Sequence, residues 1–433
     1  MKEPAHLPGG AFYVLLLLAV CLIPVALIPQ QARAQSCGRP GWLAGPDMPS
    51  TGVRMVGVYF PANGKFYAVG GRSMDGLGND FAHPFEYDPS TNSWAIKSAT
   101  YPDSQVSNMA CCILNDSGTA YIYCVGGSAG GQTTATARVF RYNPVTDTIE
   151  SVASSWPGDS DGLTLPGGFA VFNNKLYILG GFRINTAMTN QIWEFDPTGN
   201  LWAQRSSLPV ARGYIPTVSY FGFIYTAGGS DWNGATLVDT NDSFRYDLVT
   251  NLITSIPNIP RITAETRALE FAGFVGNCAP AIWIMGGGRT PPNPSNEVDV
   301  TCSGTWEIGP PFVTPRRNFP VDTDVGQVNF GTSHIWLAGG YDSSGAPLSS
   351  MEIYCYPVPT PCGLGWGCTP TPTATATYTP TPTVTATPTA TATPTVPLTA
   401  TPSATATLRP SPTPRPAATP RLRPTPAPRK SDL

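Results

Sequence analysis

The sequence predicts an all-β protein built from six similar units, and three observations lead to that prediction. An apolar run that ends in two glycines returns six times, and the first glycine of each pair is Gly70, Gly126, Gly180, Gly228, Gly286 or Gly339. The intervals of 48 to 58 residues between them are a period typical of repeat architectures. Within each unit, runs rich in β-branched and aromatic residues are separated by Asn, Asp, Pro and Gly, which favours strands joined by tight turns.

The third unit shows the order of the strands. Phe169–Phe172 is followed by a turn at Asn173-Asn174 and by the run that ends in Gly180-Gly181. A third strand at Gln191–Phe195 then leads through a second turn to Leu201-Trp202. Four strands per unit and six units predict a six-bladed β-propeller with four antiparallel strands in each blade.

The two ends of the repeat region predict how the ring closes. The last unit has a third strand at Met351–Cys355 but no fourth strand, whereas an isolated fourth strand around Gly41–Leu43 precedes the first unit. We therefore expect the last blade to be closed by the N-terminal strand, which would cover strand edges that otherwise lie open.

Further motifs in these units resemble the kelch repeat. Its pattern of paired glycines, then Tyr-Asp in the third strand and Trp in the fourth, is matched by Tyr87-Asp88 with Trp94 and by Phe195-Asp196 with Trp202. The other units depart from it: Asp247 is followed by Ile253, Asn143 by Ile149, and the fifth unit keeps only Trp306. The resemblance covers most of the chain and implies a kelch-type β-propeller whose termini share one blade.

Composition divides the chain into four segments. Lys2, an apolar run from Ala11 to Pro29 and Ala32-Arg33-Ala34 predict a signal peptide at residues 1–34, so the protein is expected to be secreted, extracellular or associated with the cell surface. The alternatives are an uncleaved membrane anchor and a lipoprotein modified at Cys21. The propeller is assigned to residues 35–357. Residues 358–368 are assigned to a connector closed by a disulfide, and residues 369–433 to a Thr/Pro-rich disordered tail with a basic end.

The net charge and its distribution along the chain limit which classes of partner are expected. The chain has a formal net charge of -3, and only 12% of its residues are charged, about half the usual share. Residues 35–368 carry -9 and the tail +5, which argues against a nucleic-acid partner. The tail is expected to be a solvated spacer, with contact to an anionic cell-surface polymer as the alternative, and no membrane span is expected after signal cleavage.

The ten cysteines suggest disulfides, as expected for an exported protein. Register favours a Cys37–Cys355 bond across the closing blade and a Cys278–Cys302 bond between two turns of the fifth blade. Cys362 and Cys368 are expected to pair within the connector. Cys111 or Cys112 is placed to meet Cys124 on the adjacent strand, which leaves one thiol over.

No cofactor or catalytic residue is predicted. Some secreted kelch-like propellers are copper radical oxidases similar to galactose oxidase, which need two histidines at one centre. After the signal peptide this chain has only His83 and His334, which register places on opposite rims. No metal site is therefore expected.

Candidate ligand-binding residues lie on the rim where the long loops gather. Loops that follow the paired glycines carry Arg72, Arg183, Trp232 and Arg289. The kelch resemblance also implies an arginine at the channel mouth before the first strand of a blade, and the matching positions are Arg54, Arg212, Arg267 and Arg317. Four arginines there would suit a carboxylate or sulfate, whereas the alternative is that each arginine binds backbone carbonyls between blades.

These features predict a secreted, non-enzymatic binding propeller that recognises an extracellular glycan or protein through its loop-rich rim. Two alternatives remain open. One is a cofactor-free carbohydrate-modifying enzyme, because the resemblance includes secreted sialic-acid mutarotases. The other is a structural or adhesion module.

Overall fold

The computed structural model describes residues 39–271, 280–302, 304–324 and 332–357. The signal segment 1–34, Cys37, Cys278, the connector 358–368 and the tail 369–433 lie outside the described residues, so the expectations about them remain predictions. In the part of the chain that is described, all regular structure is β-strand, and no helix is long and apolar enough to cross a membrane.

The first three blades are four-stranded antiparallel sheets in which the strands lie in sequence order. They follow β1 (Gly41–Gly45) and comprise β2 (Val56–Phe60), β3 (Lys65–Val69), β4 (Phe85–Asp88) and β5 (Ser93–Ile96); β6 (Ala110–Asp116), β7 (Thr119–Val125), β8 (Val139–Asn143) and β9 (Thr148–Val152); and β10 (Thr164–Phe172), β11 (Lys175–Arg183), β12 (Ala187–Asp196) and β13 (Leu201–Ser207).

Blades four and five repeat the same arrangement, and blade six has three strands of its own. They comprise β14 (Thr217–Tyr220), β15 (Phe223–Trp232), β16 (Leu237–Asp247) and β17 (Leu252–Ile256); β18 (Ala268–Phe271), β19 (Ala281–Gly287), β20 (Ser295–Thr301) and β21 (Trp306–Gly309); and β22 (Val321–Thr323), β23 (Thr332–Ala338) and β24 (Met351–Pro357).

The sixth blade is completed by the N-terminal strand, as the sequence predicted. Strand β1 pairs antiparallel with β24, and Gly41 lies opposite Cys355. Trp42 secures this strand, because its Nε1 donates a hydrogen bond to the Pro310 carbonyl at 2.9 Å and its ring packs against Phe312 and Tyr354. The six-bladed ring with four antiparallel strands per blade is thus confirmed.

The first strand of each blade lines a central channel. Strands β2, β6, β10, β14, β18 and β22 each contact the corresponding strand of the next blade, and β22 contacts β2. These strands approach so closely that a Cβ atom at Gly57 would overlap the backbone of Val321 in blade six. Blades one and six therefore meet at Gly57 without room for a side chain.

The paired glycines have a backbone explanation. The first glycine of all six pairs has a φ between 46° and 75°, in the left-handed region that residues with a Cβ avoid. At Gly70 a Cβ would also overlap the Val106 carbonyl of the neighbouring blade. The repeat motif therefore marks where each second strand turns beside the next blade.

One disulfide joins two described cysteines. Cys111 on β6 lies directly opposite Cys124 on β7, and the two are bonded. Of the two pairings that the sequence allowed here, Cys111–Cys124 is the one formed, and Cys112 is a buried free thiol. Cys302 and Cys355 are also disulfide-bonded, but Cys278 and Cys37, their predicted partners, lie outside the described residues.

Candidate binding site at the channel mouth

A belt of backbone hydrogen bonds surrounds one end of the channel, which we call the channel mouth. The N–H groups of four residues donate to the carbonyl of the corresponding residue in the preceding blade: Asn108 to Arg54 at 3.1 Å, Glu265 to Tyr214 at 3.1 Å, Asn318 to Glu265 at 2.7 Å and Arg54 to Asn318 at 2.8 Å. In blade three the Gly167 carbonyl accepts from the Ile215 N–H at 3.4 Å. These bonds link the blades directly.

All five belt residues, Arg54, Asn108, Tyr214, Glu265 and Asn318, have left-handed backbones with φ between 50° and 60°. For residues other than glycine this conformation costs roughly 1–2 kcal/mol each. The belt hydrogen bonds offset that cost. The five residues lie two or three residues before the first strand of their blades.

Glu265 is the centre of the ion-pair network at the mouth. Its side chain is fully buried, and Oε1 accepts hydrogen bonds from Nε of Arg289 at 3.1 Å and Nη2 at 2.6 Å. Oε2 accepts from Nη1 of Arg317 at 2.6 Å and Nδ2 of Asn318 at 2.8 Å. Burial alone would raise the pKa of Glu265, but the guanidinium groups of Arg289, Arg317 and Arg54 outweigh it and hold the pKa below its usual value. Glu265 is therefore an ionised anchor whose acceptor capacity is occupied.

Arg54 lies beside this network and is less completely paired. Its Nε lies 3.3 Å from the exposed Asp75 carboxylate and 3.3 Å from the Tyr341 hydroxyl. The Tyr341 ring is also covered by Arg317, whose guanidinium carbon is 4.5 Å from the ring centroid. Nη1 and Nη2 of Arg54 make no hydrogen bond within the described residues, and the side chain is 15% exposed. Two donor groups of a fixed guanidinium are thus left without a protein acceptor at the mouth.

Arg72 completes the cluster. Its Nε donates to Ser107 at 3.1 Å, and its Nη1 lies 3.8 Å from Asp75. Burial lowers the pKa of Arg72, and the neighbouring Arg54 lowers it further. Four guanidinium groups, those of Arg54, Arg72, Arg289 and Arg317, are therefore paired with only two carboxylates, Asp75 and Glu265. This excess of positive charge makes the mouth suited to an anionic group.

The mouth opens into a small cavity of about 80 Å³. Polar groups of Arg54, Asn108 and Tyr214 share its wall with the apolar side chains Met55, Met109, Phe169 and Phe319. The cavity is too small for a folded ligand, but it can take the end of one side chain.

The structure brings together four of the eight predicted ligand-binding residues. Arg54, Arg72, Arg289 and Arg317 meet at the mouth, while the other four lie elsewhere. Arg212 pairs with Asp242 at 3.0 Å, and Arg183, at the end of β11, pairs with Asp161 at 3.2 Å. Trp232 packs on Phe182 with ring centroids 5.7 Å apart. Arg267 lies inside the channel, 3.8 Å above the ring of Phe169.

The expected half-ring of Arg54, Arg212, Arg267 and Arg317 is therefore not formed. Arg54 is a belt residue, but the belt positions of blades four and five are held by Tyr214 and Glu265. Arg212 lies two residues before its belt position and Arg267 two residues after. An offset of two residues displaces a side chain along the chain, away from the belt position. Backbone carbonyls are bound instead by Arg316, which was not a candidate and which donates to the carbonyls of Gly339 and Ser350 in blade six at 2.7 and 3.0 Å.

The two histidines are held by different neighbours. Nδ1 of His83 lies 3.0 Å from the Ala99 carbonyl, and Nδ1 of His334 lies 2.9 Å from the Asp324 carboxylate. The His334 ring stacks on Trp336. Within the described ranges there is no group of three His, Cys, Asp or Glu side chains arranged to hold a metal ion.

Sequence reasoning missed Glu265 and Tyr214, and it placed Asp75 and Tyr341 in rim loops without predicting that they contact Arg54. Asp75 and Tyr341 follow paired glycines, so their loops could be identified but not their contacts. Glu265 and Tyr214 could have been found only by aligning the residues before each inner strand, because no motif marks them.

Comparison with known proteins supports the repeat assignment. No family model matches the chain. The kelch repeat and BTB domain-containing protein 1 of cowpox virus is 24% identical over 235 residues, which are 53% of this chain and 38% of that protein. The kelch-like protein terF of Aspergillus terreus is 25% identical over 222 residues, 49% of this chain and 46% of that protein. The chain thus matches less than half the length of each of these relatives.

A solved structure shares the fold. The structure of YjhT superposes with a TM-score of 0.54 at 15% identity and covers 71% of this chain and 95% of its own. At that identity the likeness concerns the fold alone. The chain is thus similar to kelch-repeat proteins over about half its length, and its fold is a six-bladed ring.

Proposed function

We propose that this protein is a non-enzymatic binding propeller that recognises a protein partner by accepting a carboxylate of that partner at the channel mouth. The observation that carries the proposal is the Arg54 guanidinium. Tyr341 and Asp75 fix its Nε, while Nη1 and Nη2 have no hydrogen-bond partner among the described residues. A carboxylate can pair with both of those groups at once.

The surroundings of Arg54 favour such a ligand. Glu265 is already bonded by Arg289, Arg317 and Asn318, so it does not compete for the unpaired donors. The Tyr214 ring and the Met55 and Met109 side chains supply apolar contact beside the charge. A fixed cation in a partly apolar recess is the arrangement in which one inserted acidic side chain gains most.

Two further considerations support a protein partner outside the cell. The similarity to kelch-repeat proteins favours a protein-binding propeller over the carbohydrate-modifying alternative. The sequence features of residues 1–34 favour export, and the uncharged Thr/Pro stretch from Thr369 to Leu408 suits a spacer that holds the ring away from its attachment point. The partner would then be an extracellular or cell-surface protein.

The test uses the full chain and an array of short peptides in matched pairs. Each peptide with a central Asp-Glu is paired with one in which Asn-Gln replaces it. We expect binding only to acidic members, and we expect Arg54→Gln to weaken it at least tenfold, because a hydrogen bond to a charged group contributes about 1.5–3 kcal/mol.

The matched control is Arg183→Gln, since Arg183 is paired with Asp161 and takes no part in the Arg54–Glu265 cluster. It should bind like the unsubstituted protein. Equal binding of acidic and amide peptides, or equal loss in both variants, would exclude the carboxylate site. Arg54-dependent binding to acidic glycans on a parallel array, with no peptide bound, would replace the protein partner by a glycan.

A further inference from the structure

A second cavity, of about 320 Å³, lies in the channel beyond the mouth. Its size is at the lower end of the range for small-molecule sites, which is about 300–1,000 Å³. Phe169, Thr217 and Arg267 line both this cavity and the mouth cavity, so they form the boundary between the two. We call this second space the inner cavity.

Arg267 is the unusual group of the inner cavity. Its Nε and Nη1 are shielded from solvent and have no hydrogen-bond partner in the described protein. No ion pair joins Arg267 to a carboxylate within 4 Å; its guanidinium lies over the Phe169 ring, and the nearest carboxylate that acts on it is that of Asp322, beyond hydrogen-bond distance. Because buried N–H groups without an acceptor are costly, a ligand oxyanion that accepts from Nε and Nη1 would be favoured at this position.

Two carboxyl groups also line the inner cavity. The carboxyl group of Glu270, on β18, makes no side-chain hydrogen bond within the described ranges, and burial raises its pKa. Asp322, on β22, accepts a hydrogen bond from the Tyr59 N–H at 2.7 Å. Neither lies within ion-pair distance of Arg267. The cavity therefore has one cationic group and two anionic groups that are kept apart.

We propose that the inner cavity binds a small zwitterion of the free amino-acid class, with its carboxylate on Arg267 and its ammonium group on Glu270 and Asp322. A simple anion would meet the two carboxylates, and a simple amine would meet the guanidinium. A molecule with both charges matches each protein group with its opposite. Phe169, Val171 and Leu269 provide the apolar wall for a short aliphatic part.

This site is independent of the partner site at the mouth. Its charged groups, Arg267, Glu270 and Asp322, are different from Arg54, Arg289 and Arg317, and its ligand is a small molecule. Loss of one activity should therefore leave the other intact.

The test is a calorimetric titration of the full chain at pH 7.5 with three matched probes. L-alanine carries both charges, propionate lacks the ammonium group and ethylamine lacks the carboxylate. L-leucine and L-phenylalanine are added to cover larger side chains. We expect at least one of the three amino acids to bind with a dissociation constant below 1 mM, and we expect each one-charge analogue to bind at least tenfold more weakly than its parent. No binding by any of the three amino acids would overturn the proposal.

Variants locate the binding. Arg267→Gln should abolish binding of the amino acid. In the double variant Glu270→Gln, Asp322→Asn, the affinity for the amino acid should fall to the affinity for its matched acid. Arg54→Gln should leave it unchanged. Ligand should also raise the thermal midpoint of the unsubstituted protein and of Arg54→Gln, because binding to the folded state alone stabilises it. Equal affinity for the amino acid and its matched acid would contradict the zwitterion, even if Arg267→Gln failed to fold.

Discussion

Oε2 of Glu265 lies 2.6 Å from Nη1 of Arg317, and this ion pair joins blade five to blade six at the channel mouth. The backbone makes the same connection, since the Asn318 N–H donates to the Glu265 carbonyl at 2.7 Å. Glu265 thus fixes the arginine cluster on one side and the ring on the other. Its role is to position the groups that would meet a ligand.

Replacement of Glu265 should therefore destabilise the ring. Glu265→Gln keeps the shape but removes the charge that compensates Arg289 and Arg317. Breaking a buried ion pair by removing one partner costs about 3–5 kcal/mol, and we expect a loss near the lower value because the amide oxygen still accepts a hydrogen bond. Urea denaturation gives the free energy of unfolding directly.

The control for Glu265 is a salt bridge on the surface. The side chains of Arg183 and Asp161 are 38% and 40% exposed, so Asp161→Asn should cost less than about 1 kcal/mol. An equal loss in the free energy of unfolding for Glu265→Gln and Asp161→Asn would show that the buried ion pairs of Glu265 stabilise the fold no more than a surface salt bridge does.

Closure of the ring predicts the effect of a substitution in the N-terminal strand. Trp42→Ala removes a ring that packs on Phe312 and Tyr354 and a hydrogen bond to Pro310, so we expect a loss of about 2 kcal/mol. Leu43, the next residue in β1, is 40% exposed, and Leu43→Ala should change stability by less than about 0.5 kcal/mol. Thermal unfolding of both variants checks this, and a Trp42→Ala midpoint equal to that of Leu43→Ala would argue against closure by β1.

We predict that the free energy of unfolding depends on pH through the carboxyl group of Asp322. Burial raises its pKa to about 6, against about 4 in an unfolded chain. The folded carboxyl thus holds its proton more tightly than the unfolded one, so its contribution to stability is complete below pH 4 and is lost as the pH rises through 6. The contribution is of the order of 2 kcal/mol.

Asp322→Asn imitates the protonated acid and can still accept the hydrogen bond from Tyr59. The variant should therefore be more stable than the unsubstituted protein at pH 8 and equally stable at pH 4. Urea midpoints at the two pH values measure the difference. An Asn variant with no advantage at pH 8 would mean that the Asp322 carboxylate is not penalised in the folded state.

We predict that the thiol of Cys112 is protected from alkylation in the folded protein. The side chain is buried, and burial raises its pKa to about 12 despite the opposing influence of Arg267. Because only the thiolate reacts, iodoacetamide at pH 8 should leave Cys112 unmodified in the native protein and modify it after unfolding. Mass spectrometry of the peptide that contains Cys112 distinguishes these states. Native modification at the rate of a free cysteine would contradict its placement.

The sequence was sufficient for the ring but not for the site, and the reason is physical. Paired glycines repeat because a left-handed φ at Gly70 and its equivalents is a local backbone requirement, and such requirements are visible in sequence. Arg54 and Arg317 were found because they happen to lie at the mouth. Arg212 and Arg267 match the same motif position loosely, yet one pairs with Asp242 and the other enters the channel.

The importance of Glu265 could not be read from sequence for a related reason. Its role depends on contacts with Arg289 and Arg317, which are 24 and 52 residues away in the chain. A single glutamate before Thr266-Arg267 carries no signature of burial. Only the closed ring, which sets blade five beside blade six, brings these groups together.

The most direct test of a carboxylate site at the mouth is a double-mutant cycle. Fluorescence anisotropy would measure the affinities of the unsubstituted protein and Arg54→Gln for an acidic peptide selected on the array and for its amide counterpart. If the peptide carboxylate pairs with Arg54, the two changes should be coupled by more than about 1 kcal/mol, because either change alone removes the pair. Effects that add to within about 0.3–0.5 kcal/mol would contradict that pairing and with it the proposed site.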